Sequence, residues 1–349
     1  MFLLKNKESG MTNKVILSIC IPTFNRAGLL DKTLNAICQQ INNRDGVEII
    51  VSDNSSTDDT KDVVGKFQNS NLPIKYYCNE KNLGLDLNTL KCVQYANGEY
   101  CWLCSDDDIP LNGSLDRILS VIDQYSPTFV YLNYAGFLEN EPYEVVLKRE
   151  RDKKDKVYYD PEKMIRELFL NHFSAAVVRR DLLLRYSYIL GECEKENFVR
   201  GYFVNINHYV ILTNPGPYVF IGNVSLSVRK PISLTGNFYN PLTTLIDISK
   251  HYQILRQKGL IGSNTENYVL NSYLRGFYKL VLPMKCFRHP LYTKEIENMI
   301  YSYCRKYKDF WLYLYSFLVL PYWFLFIPYV FARCTKSILR KIFVFSPFK

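Results

Sequence analysis

The chain has 349 residues, room for one large domain or two modest ones, and 48% of them are apolar, so a sizeable core is available. Its formal net charge is +9, with an acid-rich stretch over 45–62 and basic residues crowding the C-terminal end, which suits an anionic partner, either membrane lipid or a phosphorylated substrate. There is no long Lys/Arg run and no nucleic-acid-binding motif, which argues against nucleic acid; ten scattered Cys without paired zinc spacing fit a reduced, cytosolic setting.

Residues 1–13 read as a loose leader. Their short apolar start lacks a signal-peptide core, and Met11 is an alternative start. Val15 to Ile21 is a near-continuous apolar run, as expected of a strand buried on both faces of a parallel sheet, and Pro22 ends it. Leu29 to Gln40 has helical spacing. Val47 to Val51 is a second strand, followed by Ser52 to Thr60, a turn dense in helix-capping residue types. A helix around Val63 to Phe67 and a third strand, Ile74 to Tyr77, come next. A helix from about Leu87 to Ala96 ends at Asn97-Gly98, a C-cap signal. Tyr100 to Cys104 is the fourth strand. This alternation predicts an α/β, doubly wound, mostly parallel sheet flanked by helices.

Ligands of such sheets bind beyond the carboxyl ends of the strands. The polar turns at 22–26, 52–60 and 105–109 all occupy that position, so they are expected to converge on one crevice. The third turn carries Asp106, Asp107 and Asp108 in a row. Adjacent carboxylates repel unless something positive neutralises them, and a hard divalent cation prefers such oxygen ligands. The plainer reading is a solvated turn ahead of a helix near Leu111. Cys101 and Cys104 form a C-x-x-C within the apolar strand, where core packing outweighs a redox or metal role.

The second half is less regular. Strands are expected over Thr128 to Asn133, Ala175 to Val178 and Tyr218 to Val228. Glu139 to Lys156 reads as a loop or hairpin, Met164 to Phe173 as a helix, and Pro241 to Val281 as two helices. Phe310 to Ala332 is uncharged and rich in aromatics, with basic residues on both sides. Its length suffices to span a membrane, but Pro321 and Pro328 interrupt it. It reads as an interfacial membrane element, with a span or an apolar hairpin packed on the protein as alternatives.

Four segments together resemble family 2 glycosyltransferases: Leu17 to Arg26 (L-S-I-C-I-P-T-F-N-R), Ile49 to Thr60 (I-I-V-S-D-N-S-S-T-D-D-T), Asn82 to Asn88 with Ala96 to Tyr100, and Ser105 to Asp108 (S-D-D-D). The resemblance covers about residues 15–120, and within the family is nearest to abequosyltransferase-like enzymes of bacterial O-antigen or capsule synthesis. It implies a GT-A fold over 14–240, with a nucleotide-binding part at 14–125 and an acceptor part at 126–240. A helical extension at 241–308 and a membrane-associating tail at 309–349 would follow.

By the resemblance, Asp107 with Asp108 would hold Mg²⁺ or Mn²⁺. Asp106 would lie near the ribose and Asp53 near the nucleotide base. Pro22 and Thr23 would shape the nucleotide pocket, and Arg26 and Arg229 would approach the diphosphate. Asn82, Gly84 and Asn88 read as structural. Inverting members use an Asp base ahead of an aromatic and an apolar run. Here Asn207-His208-Tyr209-Val210-Ile211-Leu212 stands in that place, so His208 is the expected base, with Glu192, Glu194, Glu196 and Asp181 as rivals. The implied function is inverting transfer from a nucleotide-sugar donor to a glycan, carried on polyprenyl diphosphate or otherwise, at the cytoplasmic face of a bacterial inner membrane. The protein would be peripheral or monotopic there. A catalytically inactive membrane-associated scaffold on the same fold is the alternative. A nucleotidyltransferase is disfavoured because no phosphate-cradling Gly-rich loop follows the first strand.

Overall fold

The computed structural model describes residues 14–41, 45–70, 72–149, 153–168, 170, 172–189, 202–230, 241–286, 288, 292–321 and 324–325. The chain divides into two compact units, the first made of 1–197 with 201–232 and the second of 198–200 with 233–349. The rival bases Glu192, Glu194 and Glu196, the leader and residues 326–349 of the tail lie outside the described residues.

In the first unit, β1 (Leu17–Thr23), α1 (Ala27–Ile41), β2 (Val47–Asp53), α2 (Thr60–Gln68), β3 (Ile74–Cys78), α3 (Leu85–Tyr95) and β4 (Tyr100–Leu103) alternate as expected. They continue into β5 (Ile109–Pro110), α4 (Ser114–Tyr125), β6 (Phe129–Leu138), the short α5 (Val146–Arg149), β7 (Lys156–Tyr158) and α6 (Pro161–Leu168). A 3₁₀ turn at Phe173–Ala175 leads to β8 (Ala176–Arg179), α7 (Arg180–Arg185), α8 (Tyr202–Thr213) and β9 (Tyr218–Lys230).

The sheet order is β3-β2-β1-β4-β8-β6-β9-β5, with β7 also on β9. β3, β2, β1 and β4 are mutually parallel, and every residue of β1, β2 and β4 is buried. Their unbroken apolar runs follow from helices covering both faces. The expectation of a mostly parallel sheet fails beyond β4. β8 runs antiparallel to both β4 and β6, and β5 and β7 run antiparallel to β9, so the sheet is mixed. β4 passes through the acidic turn straight into β5 with no helix between, and although helices separate the later strands, β6 and β9 pair in parallel while β8 enters in the opposite direction.

Two local readings also change. β1 continues through Pro22 to Thr23, in register with Ser52 and Asp53 of β2, because a missing N–H is tolerated near a strand end. α3 ends at Tyr95, and Gly98 is no left-handed cap. It is needed because a Cβ there would lie 2.6 Å from the Ser18 backbone nitrogen. At that end of the sheet Glu48 is buried and accepts from Ser18 Oγ (2.6 Å), the Asn97 N–H (2.6 Å) and Lys75 Nζ (2.7 Å). Burial opposes its ionisation, but Lys75, Ser18 and Asn97 together hold it below the usual carboxylate range.

The second unit is helical: α9 (Pro241–Gln257), α10 (Ser263–Cys286), α11 (Lys294–Cys304), a wide π-type turn at Phe310–Leu314 and α12 (Tyr315–Val319). α9 packs on α10 and α11, and α10 on the 310–319 segment. Buried Glu266 ties it together, accepting from Arg256 (2.9 Å), Lys306 (2.7 Å) and the Tyr307 hydroxyl (2.6 Å). Among the described residues no helix is long and apolar enough to cross a membrane.

Candidate active site

The three polar turns meet at the carboxyl ends of β1, β2 and β4. Asn25, in the left-handed region at φ 51°, uses its Oδ1 to accept the Thr57 N–H (2.8 Å), and its own N–H donates to Ser56 Oγ (2.8 Å). Asp58 accepts the Ala27 N–H at the start of α1 (2.9 Å) and the Thr60 N–H at the start of α2 (3.1 Å). The first turn is therefore laced to the second, and α1 carries both to the acidic turn. Thr33 of α1, fully buried, donates to the backbone oxygens of Asp106 and Asp108, each at 3.1 Å.

Each Asp has its own surroundings. Asp106 is buried, accepting from Thr23 Oγ1 (2.8 Å) and Arg26 (3.0 Å). Burial outweighs the pull of Arg26 and, with Asp107 adjacent, pushes its carboxyl up to about 6. Asp107 is the most open of the three, its side chain 18% exposed. Its Oδ1 accepts from Ser105 Oγ (2.6 Å) and its Oδ2 from Arg26 and Arg229, both at 3.3 Å. Asp108 accepts from Ser174 Oγ (2.5 Å) and the Arg229 N–H (3.1 Å), yet burial and then Asp107 push it up to about 8. Arg229 arrives because β5 pairs with β9, Ile109 opposite Ser227, bringing the end of β9 beside the turn. Its guanidinium also reaches Glu139 at 2.8 Å.

Three residues here had no sequence reading. Ser174 accepts the Ser105 N–H (2.9 Å) while donating to Asp108, and its backbone oxygen takes the Trp102 indole N–H (2.8 Å). His172 stands with Nε2 4.0 Å from Asp108, its ring 4.4 Å from that of Tyr134. Its Nδ1 is buried without a hydrogen-bond partner, and burial lowers the imidazole to about 4. Thr33 is the third. The signal for His172 and Ser174 was two polar residues flanking Phe173 shortly before an apolar strand; Thr33 is a lone hydroxyl on the buried face of a helix.

Other expected residues lie as follows. Asp53 is buried and closes its own turn, accepting the Ser56 N–H (2.9 Å) and the Tyr76 hydroxyl (2.6 Å). Asn54, Asn79, Asn82 and Asn88 cross-link the second turn to the start of α3, as a structural role requires. His208 is buried on α8, a helix that packs on α6 and α7. Asp181 stands at the far end of the sheet, because antiparallel β8 sets Arg179 opposite Tyr100, the first residue of β4. Cys101 and Cys104 are fully buried free thiols, consistent with core packing.

Three carboxylates face two guanidiniums, and burial leaves two of the three above the usual carboxylate range. This oxygen-rich, over-negative set fits a hard dication. Asp107 has the oxygen for it, since its arginine contacts are long and it is the most open. Both oxygens of Asp108 are engaged by Ser174 and Arg229, which suits a supporting role. Among the described residues no cluster of three or more ligands converges on one point, so the remaining ligands would come from phosphate oxygens and water.

An acidic turn at the carboxyl edge of a parallel sheet, followed by a mixed extension, defines a GT-A architecture. The chain superposes on S. aureus TarS 1–349 in complex with UDP-GlcNAc with TM-score 0.58 and 15% identity, covering 83% of this chain and 82% of that one. With the mannosyltransferase PcManGT from Pyrobaculum calidifontis, in complex with GDP-Man and Mn²⁺, the TM-score is 0.53 at 14% identity, covering 88% and 86%.

Residues 18–186 match Glycosyl transferase family 2, and this part of the chain is a family 2 glycosyltransferase domain. It is 38% identical over 117 residues to abequosyltransferase RfbV of Salmonella typhimurium, covering 33% of this chain and 35% of that protein. It is 39% identical over 104 residues to the GalNAc(5)-diNAcBac-PP-undecaprenol beta-1,3-glucosyltransferase of Campylobacter jejuni, covering 30% and 33%. The matches thus span about a third of the length of these curated relatives.

Proposed function

We propose that the protein is an inverting glycosyltransferase that moves a sugar from a nucleotide-sugar donor to a growing glycan. The acceptor would be linked to polyprenyl diphosphate at the cytoplasmic face of a bacterial membrane, in O-antigen or capsule synthesis. The observation that carries the donor half is the convergence of Arg26, Arg229 and Asp107 at the mouth of the crevice, where a diphosphate needs both cations and a metal ligand. The acceptor half is supported by the undecaprenol-linked substrate in the name of the Campylobacter relative and by the basic, aromatic C-terminal segment.

In the transfer, the acceptor oxygen bonds to the anomeric carbon as the bond from that carbon to the diphosphate oxygen breaks. The hydroxyl proton passes to a base, and the nucleoside diphosphate leaves. Asp107 would hold the divalent cation, which when bound neutralises charge on the leaving group. Arg26 and Arg229 orient the diphosphate. Asp53 lies at the base-binding turn and Asp106 towards the ribose, with Pro22 and Thr23 as the pocket wall. Asp108 fixes the turn.

Deprotonation is assigned to an imidazole, His208 by sequence pattern. Turnover lost in His172→Ala but kept in His208→Ala would move the role to His172. The donor half is tested by thermal shift of the full chain with UDP-GlcNAc or GDP-mannose, with and without Mn²⁺, because a ligand that binds the folded state raises Tm. Stabilisation by a nucleotide sugar and release of its nucleotide is expected. No shift and no release across a broad donor panel would sink the reading in favour of an inactive scaffold.

A further inference from the structure

The helical unit has a polar pocket of its own. It has a volume of about 470 Å³, and Arg275, Lys306 and Lys308 line it with Asn264 and Asn267. Arg275 pairs with Asp309 at 2.5 Å, and Lys306 shares Glu266 with Arg256. Both carboxylates are buried. Four cations (Arg256, Arg275, Lys306, Lys308) therefore surround two anions, a local surplus of two positive charges. Exposed Lys308 adds a cation at the wall, and the asparagine amides add neutral donors. A group with several anionic oxygens, such as a phosphate, fits that lining.

The pocket continues into an apolar surface. Phe310, Leu314 and Leu318 are buried at four-residue intervals and form the inner side of the 310–319 segment. Its outer side carries Trp311 (45% exposed), Leu312 (71%), Tyr313 (41%) and Val319 (55%), and no residue of the segment is charged. A helix on a water-facing surface turns polar residues outward; this one exposes mainly apolar and aromatic side chains, with Ser316 the polar exception. Lys308 of the pocket wall stands two residues before Phe310, and α10, which carries Arg275, packs on the 310–319 segment, so pocket wall and apolar face adjoin. Ten residues of helix reach only about 15 Å, too short for a hydrocarbon core of about 30 Å. Trp and Tyr beside Lys and Arg are the side chains that favour the lipid–water boundary.

We propose that this face docks on an anionic phospholipid surface, with the 310–319 segment lying in the interface and a lipid phosphate seated between Arg275, Lys306 and Lys308. This deepens the membrane part of the proposed function and rests on that reading. The test is flotation of the full chain with phosphatidylglycerol-containing vesicles and with pure phosphatidylcholine vesicles, alongside nucleotide release from the best donor. Leu312→Glu and Lys308→Glu alter exposed side chains and should leave fold and nucleotide release unchanged.

Wild type is expected to float with the anionic vesicles, and each variant to lose about tenfold or more in partitioning. Inorganic pyrophosphate should compete with the lipid phosphate and weaken flotation. Flotation equal in wild type and both variants, or equal on neutral vesicles, overturns the proposal. Undiminished flotation under excess pyrophosphate overturns the seating of a phosphate in the pocket. Nucleotide release without flotation would remove the docking and leave the transferase reading standing. Flotation without release from any donor would do the reverse.

Discussion

Asp107→Asn separates chemistry from architecture more cleanly than any other change in the acidic turn. The side chain is 18% exposed, and its ion-pair partners Arg26 and Arg229 are 37% and 13% exposed. Pairs this open contribute roughly 0.5–1 kcal/mol each. Against them stands repulsion from the two buried neighbours, which helps hold Asp106 near 6 and Asp108 near 8. Removing the Asp107 charge relieves that repulsion, and the amide can still accept from Ser105. The two effects nearly cancel, so Tm should move by no more than about 3 °C in either direction. Catalysis should respond otherwise. A preorganised charge at the reacting group is worth about 3–4 kcal/mol, or roughly 10²–10³ in turnover. Nucleotide release with saturating Mn²⁺, measured beside a thermal melt, tests both halves. Turnover within threefold of wild type would refute the assignment of Asp107 to the cation. A fall in Tm above about 10 °C would show that the turn needs this charge to fold.

Glu48→Gln should destabilise the first unit by about 1–3 kcal/mol, because Lys75 is left facing an uncharged partner across a buried network. Since the Glu48 carboxyl sits below its ordinary 4.5 in the folded protein, its contribution is complete above that pH and fades as pH falls through the folded value. Acid-unfolding curves of wild type and variant should therefore converge at low pH, and parallel curves would contradict the linkage. Gly98→Ala should cost about 1–3 kcal/mol, since the new methyl must displace the Ser18 backbone; a melt unchanged within 1 °C, or about 0.3 kcal/mol, would mean the strand edge yields freely. A thiol reagent on native protein should label exposed Cys78 quickly and leave Cys20, Cys92, Cys101 and Cys104 untouched until unfolding, as mass spectrometry of the labelled peptides would report.

The first half of the fold was legible because two-sided burial writes itself as unbroken apolar runs. β1, β2 and β4 each show one, and the polar turns between them could only gather at one edge of a parallel sheet. The aspartates were legible for the same reason: three charges directly after a buried strand are conspicuous. What holds those charges was not. Thr33 looks like an ordinary polar residue in a helix, and its role depends on α1 packing across the edge of β5. Ser174 and His172 reach the turn only because β8 inserts antiparallel between β4 and β6, and alternation of strand and helix carries no information about that insertion. Arg229 was legible as a cation at a strand end, but its reach to Asp108 needs the short β5–β9 pairing, which two residues of sequence do not announce. The 310–319 segment was readable as apolar, whereas its two-sided exposure required the packing of Phe310, Leu314 and Leu318.

The bond from Thr33 to the backbone of Asp106 and Asp108 makes α1 a ruler with a phase. Arg26 sits at one end of it and Thr33 two turns along, and both grip the same loop some eighty residues downstream. Lengthening the connections between β2 and β4 leaves that grip intact. Inserting one residue within α1 between Arg26 and Thr33 would rotate Thr33 by about 100° around the helix axis and aim its hydroxyl away from the loop. The spacing from Arg26 to Thr33 is thus a dimension of the donor site, although neither the sugar nor the nucleotide would ever touch Thr33.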